Sequence, residues 1–313
     1  MRLSRCSDKG GTARLMPAVI SRYIKRRDEA AVKVPEREVV HDLQTQHVTQ
    51  FGTTPFAYSV LCDAQLNTFG DHRGMITYGR KMGYVYALSD PLASQEDSES
   101  LIEEFIEAFG DPIFVACTRQ AAESAAKHGY FVNELGHDTI IDLPSFNFAG
   151  GDKKRIRYSE SWLKRLGASV SETLERNVST SEIRSISDSW QTTRIAKREI
   201  AFLNKPLSTE PKPGVRRFFA TSETGSILGF IEFDPIYQNG QCTGYLASTK
   251  RRMAKDTTYL DLAIMAHAIR ILQAEGIASL HLGISPLADM APTDIGPECR
   301  WLRRLFRYAY RST

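Results

Sequence analysis

The chain of 313 residues has no apolar run that approaches the roughly 18–20 residues a membrane-spanning helix needs. Its five cysteines are widely spaced, and none belongs to a Cys-x-x-Cys or Cys/His pattern with metal-ligand spacing. These absences argue against a structural zinc site and favour reduced thiols in a cytoplasmic protein. The N-terminus is basic but lacks a continuous apolar segment, so we expect no secretory signal.

Glycine is absent from one predicted connection between a strand and a helix, the kind of connection that often binds an anion. Residues 248–258 read STKRRMAKDTT, between a predicted strand at Tyr245–Thr249 and a predicted helix at Tyr259–Gln273. The first turn of a helix leaves N–H groups unpaired, so this kind of connection holds anions. The predicted loop Lys250–Lys255 adds four cations. We therefore expect a site for a phosphate-bearing or otherwise anionic substrate, the alternative being a solvated basic loop.

The formal net charge is only +3, but the cations are clustered, and clustering favours anionic partners. Lys153–Leu166 is predicted to be a basic helix with Leu166 facing inward. It forms either a groove wall for nucleic acid or a solvated face between two halves. Arg300–Arg311 interleaves arginines with aromatic residues. It is either an amphipathic helix at a membrane surface or a final helix packed on a sheet through its aromatics.

The order of predicted elements favours an α/β (α+β) fold with mixed central sheets flanked by helices. Strand-rich and helix-rich pieces recur in similar order, although no residue-level repeat is detectable. We predict a basic tail or helix over 1–36, a first domain over 37–150 and a second domain, carrying the site, over 151–313.

Four local patterns give sharper expectations. Met16–Arg27 is predicted to be a short helix, Phe56–Cys62 a strand, and Thr139–Leu143 a strand that completes the first sheet. Ala278–Ile284 alternates in the manner of a strand. The alternation would place Leu280, Leu282 and Ile284 on one face and His281, Gly283 and Ser285 on the other.

Two titratable residues of this region have competing interpretations. His281 is a candidate general base because a histidine side chain titrates near neutral pH, and the alternative is a histidine that is merely hydrogen-bonded. Asp261 lies in the first turn of the predicted helix, where it either binds a substrate amino group or stabilises the helix dipole.

The order of elements in the second half resembles the N-acetyltransferase fold. That superfamily holds acetyl-CoA pyrophosphate with a glycine-containing loop, which the glycine-free segment 248–258 does not match. The chain more closely resembles the C-terminal catalytic domains of the phosphatidylglycerol lysyltransferases (multiple peptide resistance factor). The segments that carry this second resemblance, from about Val39 to Tyr308, are His47–Leu61, Tyr84–Leu92 (YVYALSDPL), His128–Tyr130, Leu135–Phe148 (LGHDTIIDLPSFNF), Lys153–Arg157 and Leu282–Leu287 (LGISPL).

The resemblance implies tandem acetyltransferase-like (GNAT) domains and transfer of an aminoacyl group from aminoacyl-tRNA to a hydroxyl or amine of a lipid or small molecule. It implies no cofactor beyond the tRNA co-substrate, because an aminoacyl ester is already activated. Arg251 would clamp an oxyanion or acceptor phosphate, with Arg252 as its alternate. The remaining residues implied for the site are Asp261, His281 and Ser285 for catalysis, Lys250, Ser248, Gly283 and Asp90 for substrate, and Lys153, Lys154, Arg155 and Arg157 for tRNA.

The departures from the family pattern leave the acceptor open. Ser248 stands where the family has an acid, and Ser89 stands where it has glycine in Gly-Asp-Pro. The family's membrane-spanning half and its extension beyond Arg311 are not in this sequence. This favours a stand-alone domain acting on a soluble acceptor or making peripheral contact with the inner face of the membrane. The alternatives are an acyl-CoA-dependent N-acyltransferase and a catalytically inactive binding module of the same fold.

Overall fold

Two mixed sheets flanked by helices make up the protein. The computed structural model describes residues 18–21, 38–134, 136–172, 178–193, 205–209, 212–255, 257–286 and 293–311. Within these residues no helix is long and apolar enough to cross a membrane. The mixed α+β class expected from the element order is confirmed.

The first sheet has the strand order β2-β3-β4-β6-β1-β7, and β5 pairs with the start of β3 on the edge that β4 occupies further along. Among the described strands of this sheet, β4 and β6 pair in parallel and the other pairs are antiparallel. The strands are β1 (Ala18–Ser21), β2 (Asn67–Asp71), β3 (Gly74–Lys81), β4 (Tyr84–Leu88), β5 (Leu92–Ala93), β6 (Ile113–Cys117) and β7 (Phe131–Glu134).

The second sheet has the order β8-β13-β12-β11-β10-β9 and again contains one parallel pair, β12 with β13. Its strands are β8 (Gly136–Asp142), β9 (Ser169–Ser171), β10 (Arg216–Thr221), β11 (Ile227–Gln238), β12 (Gln241–Arg252) and β13 (Ser279–Pro286). The strand β8 follows β7 directly in the chain but pairs with β13, so the chain passes here from one sheet to the other.

Helices cover both sheets. They are α1 (His41–Phe51), α2 (Gln95–Phe109), α3 (Arg119–Lys127), α4 (Lys154–Arg165), α5 (Thr180–Thr192), α6 (Leu260–Ala274) and α7 (Arg300–Arg311), with a 3₁₀ helix at Ala57–Leu61. On the second sheet, α6 and α4 bury one core around Phe218, Phe233 and Ile264. The other core lies beneath α5 and contains Ile183, Ile186 and Phe230. Since neighbouring residues of a strand point to opposite faces, the two cores lie on opposite sides of the sheet.

Both long hairpins turn on two residues with positive φ. Met82 (φ 53°) and Gly83 (φ 76°) connect β3 to β4, and Asn239 (φ 50°) and Gly240 (φ 78°) connect β11 to β12. Positive φ at both central positions is the geometry that matches the twist of paired strands. Asparagine and glycine adopt it readily, whereas methionine does so at a cost.

Three local expectations were wrong. Ala18–Ser21 is a strand between β6 and β7 rather than part of a helix, and the rest of the expected helix Met16–Arg27 lies outside the described residues. Phe56–Cys62 is not a strand, because its backbone bonds are local, including Cys62 N–H to the Ser59 carbonyl. The predicted strand Thr139–Leu143 exists as β8 but belongs to the second sheet, since its partner is β13.

Candidate active site at the split between two parallel strands

The parallel strands β12 and β13 pair over only three residues each and then separate. The pairs are Gly244–Ser279, Tyr245–Leu280 and Leu246–His281. Beyond them β12 stays paired with β11 as far as Arg252, and β13 stays paired with β8 as far as Pro286. The wedge between residues 247–252 and 282–286 is called the split below. It leaves backbone groups of both strands without each other as partners, so side chains or a substrate must take their place.

Lys250 reaches across the split. Its Nζ donates a hydrogen bond of 3.2 Å to the carbonyl oxygen of Leu282 on β13. Burial lowers the pKa of the Lys250 ammonium, and the nearby carboxylate of Asp261 opposes this effect in part. A half-buried ammonium at the opening of the split is placed to meet an anionic group there.

Arg252 lies on the same face of β12 and is held against the start of α6. Its Nε is 3.2 Å from Asp261 Oδ2, and its Nη1 is 2.8 Å from Thr257 Oγ1. Asp261 is in the first turn of α6, so its carboxylate meets both the helix N-terminus and Arg252. The structure thus gathers Lys250, Arg252 and Asp261 at one edge of the split.

Arg251 points to the opposite face of the sheet. Only 7% of it is exposed, its guanidinium carbon lies 4.0 Å from the Trp190 ring centroid, and its Nε is 3.2 Å from Ser187 Oγ. Both partners belong to α5. The structure therefore places Arg252 beside Asp261. Arg251, which was expected to clamp an oxyanion or an acceptor phosphate, instead packs against α5.

The predicted loop Lys250–Lys255 was too long. Lys250, Arg251 and Arg252 continue β12, with Ile231, Phe230 and Gly229 of β11 as their partners. Each cation finds a hydrogen-bonding partner on one face or the other, so three charged residues are tolerated in one strand.

His281 closes the narrow end of the split. It is 5% exposed, and its Nδ1 is 2.6 Å from Asp138 Oδ2 on β8. No local pattern predicts this contact, because Asp138 and His281 are 143 residues apart. The pair fixes the plane of the imidazole at the last position where β12 and β13 are joined.

The alternation predicted for β13 fails after Leu282. The register with β8 shifts between His281 and Ile284, and Gly283 has φ +91°. Leu280 and Leu282 pack into the core beneath α6, whereas Ile284 packs against Leu88 and its neighbours in the first sheet. A bulge moves later residues to the opposite face, so Ser285 does not share the face of His281.

A buried charge cluster on β10 and β11 was missed from the sequence. Glu232 and Asp234 are 0% and 2% exposed. Lys205 Nζ forms ion pairs with both carboxylates, 3.2 Å from Glu232 Oε2, and Arg217 pairs with Glu232. Ser248 Oγ lies 3.4 Å from the Glu232 carbonyl. Position 248 therefore has two carboxylates beside it on the adjacent strand. In the sequence, the sign of this charge cluster is the presence of two acids in the otherwise apolar run Ile227–Ile236.

Asp90 has a local role in the first sheet. It accepts hydrogen bonds from the backbone N–H of Thr118, at 2.7 Å, and from the Thr118 hydroxyl. Burial raises the pKa of Asp90, and both bonds act in the opposite direction. Its neighbour Ser89 has φ +67°, a conformation that glycine adopts without strain. The glycine that the resemblance implies at position 89 is thus explained by the positive φ that the backbone adopts there.

Of the four cations expected to bind tRNA, two have partners within their own segment. Lys153 pairs with Asp152 at 2.6 Å, and Arg157 donates to the Gly150 carbonyl at 2.8 Å. Lys154 and Arg155 are exposed on α4. Leu166, expected to face inward, is 40% exposed because it follows the last turn of the helix.

No group of three or more histidine, cysteine, aspartate and glutamate side chains in the described part of the chain is arranged to hold a metal ion. The chemical groups gathered at the split are cations, a histidine–carboxylate pair and the backbone groups of two diverging strands.

Comparison with known proteins identifies the family of this chain. The sequence profile of the C-terminal region of phosphatidylglycerol lysyltransferases matches residues 45–313. The chain belongs to this family. The family is named for a lysyltransferase, so the resemblance recognised in the sequence and the expectation of an aminoacyltransferase family are confirmed.

Individual relatives are distant. The lysylphosphatidylglycerol biosynthesis bifunctional protein LysX of Rhodococcus jostii is 24% identical over 232 residues, which cover 72% of this chain and 21% of that protein. The chain therefore spans about a fifth of the length of this curated relative. The homologue of Rhodococcus opacus is 24% identical over 58% of this chain and 17% of its own length.

Two solved structures share the fold. L-PGS from Bacillus licheniformis superposes with a TM-score of 0.73 at 19% identity, over 88% of this chain and 84% of that one. The C-terminal domain of a putative lysylphosphatidylglycerol synthetase from Agrobacterium fabrum gives 0.68 at 19% identity, over 86% and 83% of the two chains.

Proposed function

We propose that this chain transfers an aminoacyl group from aminoacyl-tRNA to a hydroxyl or amine of an anionic acceptor. The acceptor is a phosphatidylglycerol-like lipid or a soluble small molecule. The observation that carries the proposal is the arrangement of two cations at the split: Lys250 reaches across it to Leu282, and Arg252 binds Asp261 in the first turn of α6. Fixed cations beside a helix N-terminus suit a phosphate or a developing oxyanion.

The proposed reaction needs no covalent enzyme intermediate and no cofactor. The acceptor oxygen or nitrogen attacks the ester carbonyl, forms the new ester or amide bond, and expels the ribose oxygen of the tRNA. The proton lost by the acceptor ends on that ribose oxygen. The protein must hold the two substrates together and stabilise the negative charge on the carbonyl oxygen.

Each residue of the split has a proposed part in this reaction. Lys250 and Arg252 bind the acceptor phosphate or the oxyanion, and Asp261 orients Arg252 and faces the amino group of the aminoacyl ester. His281 takes the acceptor proton. Ser248 and Gly283 line the two walls of the split, and Ser285 lies at its open end. Arg251 supports this arrangement from the α5 side.

We further propose that the two sheets are the centres of tandem acetyltransferase-like domains, over 37–150 and 151–313, with β1 of the segment 1–36 inserted into the first sheet between β6 and β7. Each sheet has one parallel pair joined through a helix, β4-α2-β6 and β12-α6-β13. The strand β8 extends from the first of these units into the sheet of the second.

The partners follow from two surfaces. The exposed cations of α4 suit the tRNA, and α7, with arginines between exposed aromatic residues, suits the inner face of an anionic membrane.

The test is a transfer assay with the intact protein, pools of tRNA charged with radiolabelled amino acids, and either phosphatidylglycerol vesicles or a polar metabolite extract. Label should leave the tRNA and appear in one acceptor fraction. If no charged tRNA loses its aminoacyl group, the proposal fails. Calorimetric titration with acetyl-CoA is the parallel arm, and tight binding there supports an acyl-CoA-dependent N-acyltransferase.

Variants tie the activity to the split. Lys250→Met should lower the transfer rate about a hundredfold, the typical effect of removing one oxyanion-stabilising donor. Lys81→Met is the matched control, since Lys81 is exposed at the end of β3. Equal transfer rates for Lys250→Met and wild type would show that the reaction does not take place at the split.

A further inference from the structure

Lys205 is an ammonium group buried between two carboxylates of β11, Glu232 and Asp234, which we call the acid pair. The Lys205 side chain is 5% exposed, and its Nζ forms ion pairs with Glu232 Oε2, at 3.2 Å, and with Asp234 Oδ1. Burial lowers the pKa of the Lys205 ammonium, but the two carboxylates outweigh this effect, so the pKa stands above its ordinary value. Lys205 is therefore charged at neutral pH and balances the acid pair.

The segment that carries Lys205 is fixed at several points. Arg217 binds Glu232 of the acid pair through Nε at 2.8 Å. The same guanidinium donates to the carbonyl oxygens of Ser208, at 2.9 Å, and Thr209, at 3.2 Å. Leu207 packs into the core beneath α5. One arginine thus holds both the acid pair and the segment that brings Lys205 to it, so Lys205 is a specific occupant of this place.

The acid pair has the acceptors of an ammonium site and is not saturated by Lys205. Glu232 is 0% exposed, and its Oε2 accepts no hydrogen bond from the described part of the chain. Lys205 Nζ is near enough to this oxygen for an ion pair but is not aligned for a hydrogen bond. A buried carboxylate oxygen in this state retains its capacity for a donor, such as a better-placed ammonium.

The acid pair shares one face of the second sheet with His281. Asp234 pairs with Leu246 of β12, and Leu246 pairs with His281 of β13. Paired residues of neighbouring strands project to the same side. Leu280, the neighbour of His281, packs beneath α6, so the row of three lies on the opposite face. Neighbouring strands are about 4.8 Å apart, which separates the Asp234 and His281 backbones by about 10 Å.

The inference rests on the proposed function for the place of the ester. There His281 takes the acceptor proton, so the ester carbonyl lies beside it, and an aminoacyl side chain on this face points along the row toward Asp234. A lysyl side chain, with its flexible four-carbon stem and terminal ammonium, would arrive at the acid pair. Lys205 already supplies that ammonium, and a second cation would meet a like charge in a desolvated site.

We propose that Lys205 is a built-in counter-ion that selects the aminoacyl group: it occupies an ammonium site, so the split accepts uncharged aminoacyl side chains and excludes cationic ones. A juxtaposed like charge rejects one class of substrate without any new contact to the other class. Without the ammonium, two buried carboxylates would face Arg217 alone, and a cationic side chain would neutralise the excess negative charge.

The first test measures occupancy of the ammonium site without any transfer reaction. Lys205→Ala deletes the equivalent of a propylammonium ion, so propylammonium chloride is the probe, and 1-propanol, of similar shape but uncharged, is its control. Propylammonium at about ten times its Kd should raise the melting temperature of Lys205→Ala by about 2 °C, relative to sodium chloride at equal ionic strength. Wild type, whose site is filled, should show no such shift.

The second test measures selectivity. One tRNA is charged with either alanine or lysine, so that only the aminoacyl group differs, and the two kcat/KM values are compared. Wild type should favour the alanyl ester by about tenfold or more, and Lys205→Ala should abolish or reverse this preference. Lys205→Met removes the ammonium but keeps the bulk of the stem, so it should not gain lysyl transfer. Lys205→Arg should keep the wild-type preference, because it keeps the charge.

A charge-balanced variant controls for folding. Lys205→Ala leaves an uncompensated buried carboxylate, so it should melt at a lower temperature than wild type. Lys205→Ala combined with Asp234→Asn restores the balance, so it should recover part of that loss and respond less to propylammonium. If Lys205→Ala does not fold in buffer, the yield of folded protein after refolding with propylammonium or with 1-propanol takes the place of the melting temperature.

Either of two results would overturn the inference. One is a wild type that uses the lysyl ester as well as the alanyl ester, and the other is a Lys205→Ala variant that propylammonium neither stabilises nor refolds better than 1-propanol does. If propylammonium binds as expected but neither charged tRNA is consumed, the ammonium site stands and the proposed transfer falls. If transfer occurs with a preference for the lysyl ester, the proposed transfer stands and the selection by Lys205 falls.

Discussion

His281 Nδ1 lies 2.6 Å from Asp138 Oδ2, and this contact joins β13 to β8 at the narrow end of the split. Both side chains are buried, at 6% and 2% exposure. A carboxylate at one imidazole nitrogen sets the ring orientation and the tautomer, with Nδ1 donating. In the neutral imidazole this geometry leaves Nε2 as the proton acceptor, which is the arrangement that the proposed role of His281 requires.

The first prediction concerns this pair. His281→Gln should lower kcat for aminoacyl transfer about a hundredfold or more, the usual contribution of a general base. Asp138→Asn should also lower kcat, with little change in KM, because an amide at this position permits the wrong tautomer. Nitrogen-15 NMR of the histidine side chains should show the Nδ1-protonated form in wild type, with His281→Gln identifying the signal. Normal kcat in both variants, with intact folding, would leave the pair a purely structural role.

The second prediction follows from the lowered pKa of Lys250. The folded protein binds the Lys250 proton less readily than the unfolded chain does, because burial disfavours the ammonium. The folded state is penalised in full below the lowered pKa and not at all above the ordinary value of 10.5. The free energy of unfolding of wild type, relative to Lys250→Met, should therefore rise with pH across that window. Urea unfolding of both proteins at a series of pH values measures this, and a flat difference would contradict it.

The third prediction treats Arg251 as a packing residue. Its guanidinium stacks on Trp190 at 4.0 Å with little exposure, and a desolvated contact of this kind contributes about 2 kcal/mol. Arg251→Lys keeps the positive charge but removes the planar guanidinium that stacks on the Trp190 ring, so it should lower the free energy of unfolding by about 1–2 kcal/mol. A double-mutant cycle with Trp190→Leu isolates the pair, and Arg252→Lys on the other face is the control. A coupling energy near zero between the two substitutions would show that the Arg251–Trp190 contact does not stabilise the fold.

These residues show what the sequence of the second half determines and what it hides. Helical spacing placed α6 within a residue at each end, and Gly276, with φ +77°, closes it as expected. The end of β12 was hidden, because Lys250, Arg251 and Arg252 look like a loop until their partners on α5, α6 and β13 are known. Likewise, a one-residue bulge at Gly283 reverses the faces of β13 without leaving a trace in its alternation.

The fourth prediction uses the two hairpins as an internal comparison. Met82 has φ 53° and is 84% exposed at the position that Asn239 occupies in the β11–β12 hairpin. Met82→Asn should raise the free energy of unfolding by about 1 kcal/mol, because asparagine adopts positive φ with less strain. Thermal unfolding measures the gain, and Asn239→Met should show the opposite change. A lower melting temperature for Met82→Asn would contradict the assigned strain.

Long-range pairing accounts for most of what sequence reasoning missed. Glu232 and Asp234 read as breaks in an apolar strand, yet Lys205 and Arg217 neutralise them inside the protein. A buried carboxylate is tolerated only with such partners, and neither partner can be assigned from spacing along the chain. The same limit applies to β8, whose pattern predicts a strand but not the sheet it joins.

The last prediction concerns helix α7. Trp301, Leu305 and Tyr308 recur at helical spacing and are 70%, 44% and 71% exposed, which favours a role at a surface for these three side chains. Exposed Arg300 and Arg304 flank them. Apolar and aromatic side chains beside cations are suited to the headgroup region of an anionic bilayer, where each arginine contributes about 1 kcal/mol.

Sedimentation with vesicles tests this assignment. The protein should bind vesicles rich in phosphatidylglycerol more tightly than zwitterionic ones, and the difference should shrink as salt rises. Trp301→Ala should weaken binding to both kinds of vesicle, because it removes apolar contact, whereas Arg304→Gln should weaken binding only to the anionic ones. Met82→Asn is the control, since it removes an equally exposed apolar side chain from a hairpin of the first sheet. If Trp301→Ala and Met82→Asn reduce binding to the same extent, the contact is nonspecific and α7 is not the membrane-facing element.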